Sequence, residues 1–374
     1  MEKTPSKILA VYGTRPEAIK MAPVIEALRR RPDVFEVTVC TTGQHREMLD
    51  QVQRLLGLVP DLDLRLMRPD QTLNGLASAT LAAMDEVLAA RAFDWLLVQG
   101  DTTTAMATAL AAFHRGVRVG HVEAGLRTGD LARPFPEEAN RRIVDVMAAA
   151  LFAPTERAGR ILLDEGSAAE RVHVVGNTVI DALRTISRDL QETQEPEVLI
   201  TVHRRESFGA PLLAIFAALR RLAEGFPGVR FIYPVHKNPN VSGPARERLG
   251  GLPNLELHEP FDYRELVRRL MRCRFALTDS GGIQEEAPTF GKPVLVLRET
   301  TERPEGVDAG VARLVGTDPE RIFAEAARLL TSEAAYLEMA RSVNPYGDGH
   351  AAERIAAILA GESWTPFVSN GPAE

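Results

Sequence analysis

The chain has 374 residues, 45% of them hydrophobic and 25% charged, with a formal net charge of −7. That length exceeds one ordinary core and suits two or three domains of globular composition. The acidic balance excludes general affinity for nucleic acid or an anionic membrane, though not a local basic pocket for phosphate.

Short apolar runs alternate with helical patterns along the chain. Ile8–Tyr12 reads as a strand, followed by a helix over Pro16–Arg31, a strand Glu36–Thr41 and a helix near Glu47–Leu56. An Ala-rich helix, Asn74–Arg91, leads to the strand Trp95–Gln99. The helix Ala105–His114, strand Val117–Val122, helix Glu137–Ala149, strand Leu151–Ala153, helix Glu156–Glu165 and strand Val172–Val175 complete this half. Thr185–Glu197 is polar and reads as a linker region. The pattern then restarts with strand Val198–Val202, helix Pro211–Glu224 and strand Arg230–Tyr233. Helix Arg264–Arg272, strand Phe275–Thr278, helix Ile283–Thr289 and strand Val294–Leu297 follow. A last pair of helices spans Pro319–Ser342 and Ala351–Ala360, and the tail from Gly361 is expected to be loosely ordered. Such repetition predicts parallel sheets covered on both faces, in two doubly wound α/β domains. The expected ligand site is a crevice at the C-terminal ends of the strands.

Polar residues collect at those strand ends. Asp279-Ser280-Gly281-Gly282-Ile283-Gln284-Glu285-Glu286 follows an apolar strand and opens a helix. The paired glycines allow close backbone approach, and the first N–H groups of a helix can bind a diphosphate. Glu286 lies about a turn on, placed to accept from a ribose hydroxyl. The first strand ends in Gly13-Thr14-Arg15-Pro16-Glu17, where Thr14 and Glu17 have the spacing of a capping box. A capping box leaves Arg15 and Lys20 unexplained, because cations are disfavoured at a helix N-terminus. An anion between them would relieve that conflict, and Arg offers a bidentate fork for phosphate.

Asp101 follows the strand Trp95–Gln99, and Glu123 follows Val117–Val122; Glu137 opens the next helix. Three carboxylates converging on one crevice suit general acid–base work. Arg127 and Arg141 are cations available beside them. In the second half, His203-Arg204-Arg205 and His236-Lys237 stand at strand ends as imidazole–cation pairs, and Arg303 follows the strand Val294–Leu297. No Gly-x-Gly-x-x-Gly follows the first strand, no P-loop is present, and no His/Cys cluster has metal-ligand spacing, so neither a nicotinamide cofactor nor a structural metal is signalled. Cys40 and Cys273 fit buried thiols of a reducing compartment. The N-terminal run Met1–Lys7 is not that of a signal peptide, and no apolar run approaches the about 20 residues a membrane helix needs. A cytoplasmic location is expected.

Taken in order, these motifs resemble the non-hydrolysing UDP-N-acetylglucosamine 2-epimerases, from Gly13-Thr14-Arg15-Pro16-Glu17 to about Gly349-His350. The resemblance includes Thr42-Gly43-Gln44-His45-Arg46, Gln99-Gly100-Asp101-Thr102-Thr103, His121-Val122-Glu123-Ala124-Gly125-Leu126-Arg127 and Pro136-Glu137-Glu138-Ala139-Asn140-Arg141. It continues through Gly176-Asn177-Thr178, His203-Arg204-Arg205-Glu206 and Ser280-Gly281-Gly282. It implies a GT-B type fold, two Rossmann-like domains with an interdomain cleft. Residues 1–178, joined by the C-terminal region 354–374, would form the carboxylate-bearing domain, and 179–353 the UDP-binding domain.

The implied reaction interconverts UDP-GlcNAc and UDP-ManNAc without a cofactor, through elimination of UDP to a 2-acetamidoglucal and its re-addition. The product would supply ManNAc for cell-surface polysaccharides. The resemblance makes Asp101, Glu123 and Glu137 the acid–base and charge-stabilising set, with His203 assisting departure of the diphosphate. It makes Arg15, Lys20, Gln44, His45, Arg141, Arg204, His236, Phe261, Ser280, Gly281, Gly282, Glu286 and Arg303 substrate-binding, Phe261 largely through its backbone. It also implies a homodimer. Some bacterial members bind a second UDP-GlcNAc as an activator; Gln44, Arg204 and His236 match that site. Glu47 and Asp70, however, stand where certain members have Gln and Arg, and a carboxylate there repels a diphosphate. A GT-B glycosyltransferase and a non-catalytic sugar-nucleotide sensor are the rival readings, since fold alone does not separate them.

Overall fold

The computed structural model describes residues 4–43, 46–68, 70–190, 195–204, 207–340 and 343–369. Contacts divide the chain into two compact units, Met1–Arg184 with Tyr346–Ser369, and Thr185–Pro345.

Seven strands of the first unit are described: β1 (Ser6–Tyr12), β2 (Phe35–Thr41), β3 (Leu62–Asp63), β4 (Trp95–Gln99), β5 (Arg118–Val122), β6 (Ala150–Ala153) and β7 (Val172–Val174). They form one parallel sheet in the order β3-β2-β1-β4-β5-β6-β7. The second unit carries β8 (Glu197–Thr201), β9 (Arg230–Pro234), β10 (Leu255–His258), β11 (Phe275–Thr278), β12 (Val294–Val296) and β13 (Ala312–Leu314). These are parallel too, in the order β10-β9-β8-β11-β12-β13. Both orders are doubly wound. The chain reverses direction across the sheet between β1 and β4, and again between β8 and β11, which are the points where such sheets bind ligands.

The near-continuous apolar strands are what sheets buried on both faces require. Along β8, Val198 and Ile200 join one core cluster with Phe231, Phe275 and Leu277, while Leu199 joins another with Ile232, Ala276 and Val296. The alternation is the period of two of a strand, so each face is covered by its own layer of helices. In the first unit the helix Thr103–His114 lays Ala105, Ala109 and Ala112 against Leu96, Val98 and Leu151. Its small side chains bring it close to the sheet.

Several expectations from the sequence are corrected here. A helix covers Thr178–Ser187, so the polar linker is shorter than Thr185–Glu197. The helix Pro239–Leu249 was not among the expected elements; it forms despite Gly243 and Pro244, with Pro239 in the first turn, where its missing N–H costs nothing, and the Asn238 side chain as cap. The strands β3, β10 and β13 were not among the expected elements either; β3, two residues long, is too short to show a period. The single helix Pro319–Ser342 is two, Pro319–Thr331 and Glu333–Met339, parted at Ser332, whose hydroxyl accepts from Ala335 N.

Within the described residues, the tail over 362–369 is anchored rather than loose. Phe367 is buried, its N–H donates to Val174 O at 2.9 Å, and Arg31 pairs with Glu362. The helix before it, Ala351–Ala360, packs on Arg15–Arg29. The buried Asp181 carboxylate accepts from Ala352 N at 2.9 Å and Ala351 N at 3.3 Å, so it caps that helix.

Candidate active site

In the first unit the site begins where β1 and β4 part. Thr14 and Glu17 form the expected capping box, in which Glu17 accepts from Gly13 N at 2.5 Å and Thr14 N at 2.8 Å. The same carboxylate also accepts from the Thr102 hydroxyl at 2.6 Å. It therefore staples the end of β1 to the loop after β4. Burial raises its pKa above the ordinary carboxylate value, against the pull of these donors.

Two of the three predicted carboxylates follow the ends of neighbouring strands. Gln99 and Val122 are paired residues of β4 and β5, so Asp101 and Glu123 follow neighbouring strands. Glu123 takes a left-handed backbone, φ 69°, flanked by Gly100 at 73° and Gly125 at 87°. A non-glycine residue there is strained and is held by its surroundings. Those surroundings are Lys20 Nζ, 2.5 Å from Glu123 Oε2, and the Gln99 amide, which donates to the same oxygen. The anion beside Lys20 is thus a protein carboxylate.

Asp101 pairs with Arg141 at 2.5 Å, and Asn140 donates to the Asp101 carbonyl at 2.9 Å. Both partners come from the helix Glu137–Met147, whose first residue, Glu137, is partly exposed. Arg15, also partly exposed, is the first residue of its helix. Arg127 turns away from this group, toward Asp145 at 2.8 Å and Glu165 at 2.6 Å.

The second unit repeats the stapling device. Asp279, fully buried after β11, accepts from His203 N at 2.9 Å and Arg204 N at 2.8 Å, beyond the end of β8. The His203 ring stacks on His236, centroids 5.6 Å apart and planes 15° from parallel. Beside them lies a net of arginines around one carboxylate. Glu302 meets Arg303 at 2.6 Å, Arg298 at 2.7 Å and Arg204 at 3.2 Å. Burial alone would raise its pKa, but the three guanidiniums hold it far below the usual carboxylate range. Arg303 also pairs with Glu285 at 2.6 Å.

The two glycines differ in their surroundings. A Cβ on Gly281 would fall 2.5 Å from Arg303 Nη1, whereas one on Gly282 would meet nothing nearer than Glu286 Oε1 at 3.7 Å. Ser280 stands at the N-cap position of the helix Gly281–Glu286 without a side-chain capping bond, its own N–H donating to Thr278 Oγ1 at 2.9 Å. Glu286 is buried at the end of that helix and accepts from the Tyr263 hydroxyl at 3.2 Å. Phe261 lies between His258, at 5.2 Å, and the Arg269 guanidinium, at 5.6 Å. Gln44, His45, Arg205 and Glu206 lie outside the described residues, and among the described residues no group of His, Cys, Asp or Glu is arranged to hold a metal.

Sequence reasoning overlooked Gln99, Glu285 and Glu302, and assigned Asp279 no role. Asp279 and Glu302 were open to discovery, since each stands next to a predicted residue at a strand end. Glu285 sits in the middle of the glycine motif and was read only as helix.

Residues 26–360 match the family model described as UDP-N-acetylglucosamine 2-epimerase. The UDP-N-acetylglucosamine 2-epimerase of Salmonella typhimurium is 51% identical over 369 residues, covering 94% of this chain and 98% of its own. That of Escherichia coli K12 is 49% identical over the same shares. The crystal structure of the Neisseria meningitidis UDP-GlcNAc 2-epimerase bound to UDP-GlcNAc superposes with a TM-score of 0.88 at 43% identity, covering 95% of this chain and all of that one. With two doubly wound parallel sheets, these motifs at the strand ends and this likeness along nearly its whole length, the chain belongs to the UDP-N-acetylglucosamine 2-epimerase family.

Proposed function

We propose that the protein interconverts UDP-GlcNAc and UDP-ManNAc by breaking the C1–O bond, expelling UDP and removing the C2 proton. A 2-acetamidoglucal is the intermediate, and UDP then adds back as the proton returns to the opposite face of C2. The observation that carries this reading is the pair Asp101 and Glu123 on adjacent strand ends, each engaged by a cation, Arg141 and Lys20. Loss of UDP builds positive charge on C1, which carboxylates stabilise. Moving a proton between two faces requires two acid–base positions, and Asp101, Glu123 and Glu137 are our candidates.

In this reading His203 protonates or hydrogen-bonds the departing diphosphate. Arg15, Arg204 and Arg303 meet its charge, as guanidiniums fit phosphate bidentately. Ser280, Gly281, Gly282 and the helix start behind them take its oxygens, with His236, Phe261 and Glu286 on the nucleoside. Lys20, Gln44, His45 and Arg141 complete the substrate-binding set. The reading uses no cofactor. We place the reaction in the cytoplasm, since Cys40 and Cys273 are free and burial pushes both thiols up to about 12. Among the described residues no helix is long and apolar enough to cross a membrane. A homodimer completes the reading.

Incubation with UDP-GlcNAc in deuterated buffer tests the reaction. Deuterium at C2 of the recovered sugar nucleotides is expected. Retention of the C2 hydrogen in pool and product overturns the proposal, and transfer of the sugar to an acceptor or release of free ManNAc as main product would replace it.

A further inference from the structure

His121 is the penultimate residue of β5, two residues before Glu123; its side chain is fully buried, and the reaction proposed above makes no use of it. Both of its ring nitrogens face oxygen. Nε2 is 2.8 Å from the Gly100 carbonyl, and Nδ1 is 2.6 Å from Asp145 Oδ1. A carbonyl oxygen only accepts, so Nε2 carries a proton. Asp145 also faces the Arg127 guanidinium at 2.8 Å. Burial would raise the Asp145 carboxyl, yet His121 and Arg127 hold it below its ordinary value. Its oxygen, 2.6 Å from Nδ1, holds the ring from behind.

Two further charged groups stand around this pair. Glu165 lies on the far side of Arg127, and Arg171 donates to the backbone oxygens of Asp145 and Ala148. Gly100 itself is a left-handed residue whose N–H donates to Val122 O at 3.1 Å. With His121 on its carbonyl, both of its peptide groups are tied to β5. The next residue is Asp101, whose own carbonyl is held by Asn140 and whose carboxylate is held by Arg141.

We propose that His121 is a positioning residue, whose Nε2–H clamps the Gly100 carbonyl and thereby fixes the backbone that presents Asp101. Asp145 orients the ring from behind, as a carboxylate orients the histidine of a catalytic relay. This inference rests on the role proposed for Asp101.

The test uses the two amides that each mimic one ring nitrogen. In His121→Gln the side-chain amide reaches the place of Nε2 and keeps a donor for Gly100. In His121→Asn it reaches only the place of Nδ1. The expected result for His121→Asn is a loss of at least about tenfold in kcat with KM for UDP-GlcNAc within about threefold, and for His121→Gln recovery of most of that kcat. Equal kcat in the two variants, or parent-like kcat in His121→Asn, overturns the proposal. Nitrogen-15 NMR of the histidine rings of the unaltered, ligand-free protein gives a second reading that needs no variant to fold. A proton on His121 Nε2 is expected, and an Nε2 without one overturns the clamp. Failure of the epimerase reading shows separately, as an absence of C2 exchange in the unaltered protein.

Discussion

A methyl group at Gly281 has nowhere to go while Arg303 stays in place. The Cβ of Gly281→Ala would sit 2.5 Å from Nη1 and 2.7 Å from Cζ of that arginine. Arg303 is the end of a flexible side chain, but it is held by Glu285 and Glu302, each at 2.6 Å. Displacing it costs one or both bonds, and a hydrogen bond to a charged group contributes about 1.5–3 kcal/mol. Glu302 keeps Arg298 at 2.7 Å and Arg204 at 3.2 Å, so its loss falls at the lower end of that range. Glu285, almost wholly buried, falls at the upper end, and the two together come to about 4 kcal/mol. Alanine is the better helix former and recovers about 0.5–1 kcal/mol. The expected net loss is therefore about 3 kcal/mol, read by urea unfolding, with a parallel fall in UDP affinity. The decisive comparison is a double-mutant cycle. If the methyl acts through Arg303, adding Gly281→Ala to Arg303→Ala should cost nothing further. Additive losses in the cycle would refute this account of why glycine is needed.

Two further outcomes are expected. Asp101→Asn and Glu137→Gln should each keep UDP binding, measured by calorimetry, while lowering turnover by about 10² or more; unchanged turnover in both would remove them from the acid–base set. Asp181, raised by burial from 3.8 to about 6, holds its proton in the folded state to higher pH than in the unfolded chain. Its contribution to stability is thus fully present below about pH 4 and falls as pH rises through about 6, by about 3 kcal/mol in all. Asp181→Asn keeps an acceptor for Ala351 and Ala352 and should lack that fall in urea unfolding followed from pH 4 to 7; an identical pH profile would contradict the assignment.

Much of this protein was legible before its structure. Strand and helix assignments were most accurate where apolar runs were continuous and their ends marked by turn chemistry, as in Trp95–Gln99 and Phe275–Thr278, which match β4 and β11 residue for residue. They failed where tertiary packing overrides weak local pattern. Pro239–Leu249 is a helix despite two prolines and a glycine, and β3 is two residues long, paired with Cys40 and Thr41 of β2. Phe367, in a tail with no periodic pattern, is ordered by a hydrogen bond to a residue nearly two hundred positions earlier.

From the sequence by itself come the two α/β halves, the absence of nucleotide fingerprints of other families, and the run of charged and glycine-bearing motifs at strand ends. These follow from composition and from periods of two and 3.6, which are local properties of a chain. Only the tertiary structure decided which charges meet. Lys20 found Glu123, Arg141 found Asp101, and Arg303 found Glu285, while Arg127 went to Asp145 instead of the carboxylates it was read beside. The first of these pairs spans 103 positions. Such partners are chosen by the order of strands in the sheet, which places β1 against β4 and β4 against β5. Strand order is set by the burial of whole faces, and no short stretch of sequence carries it.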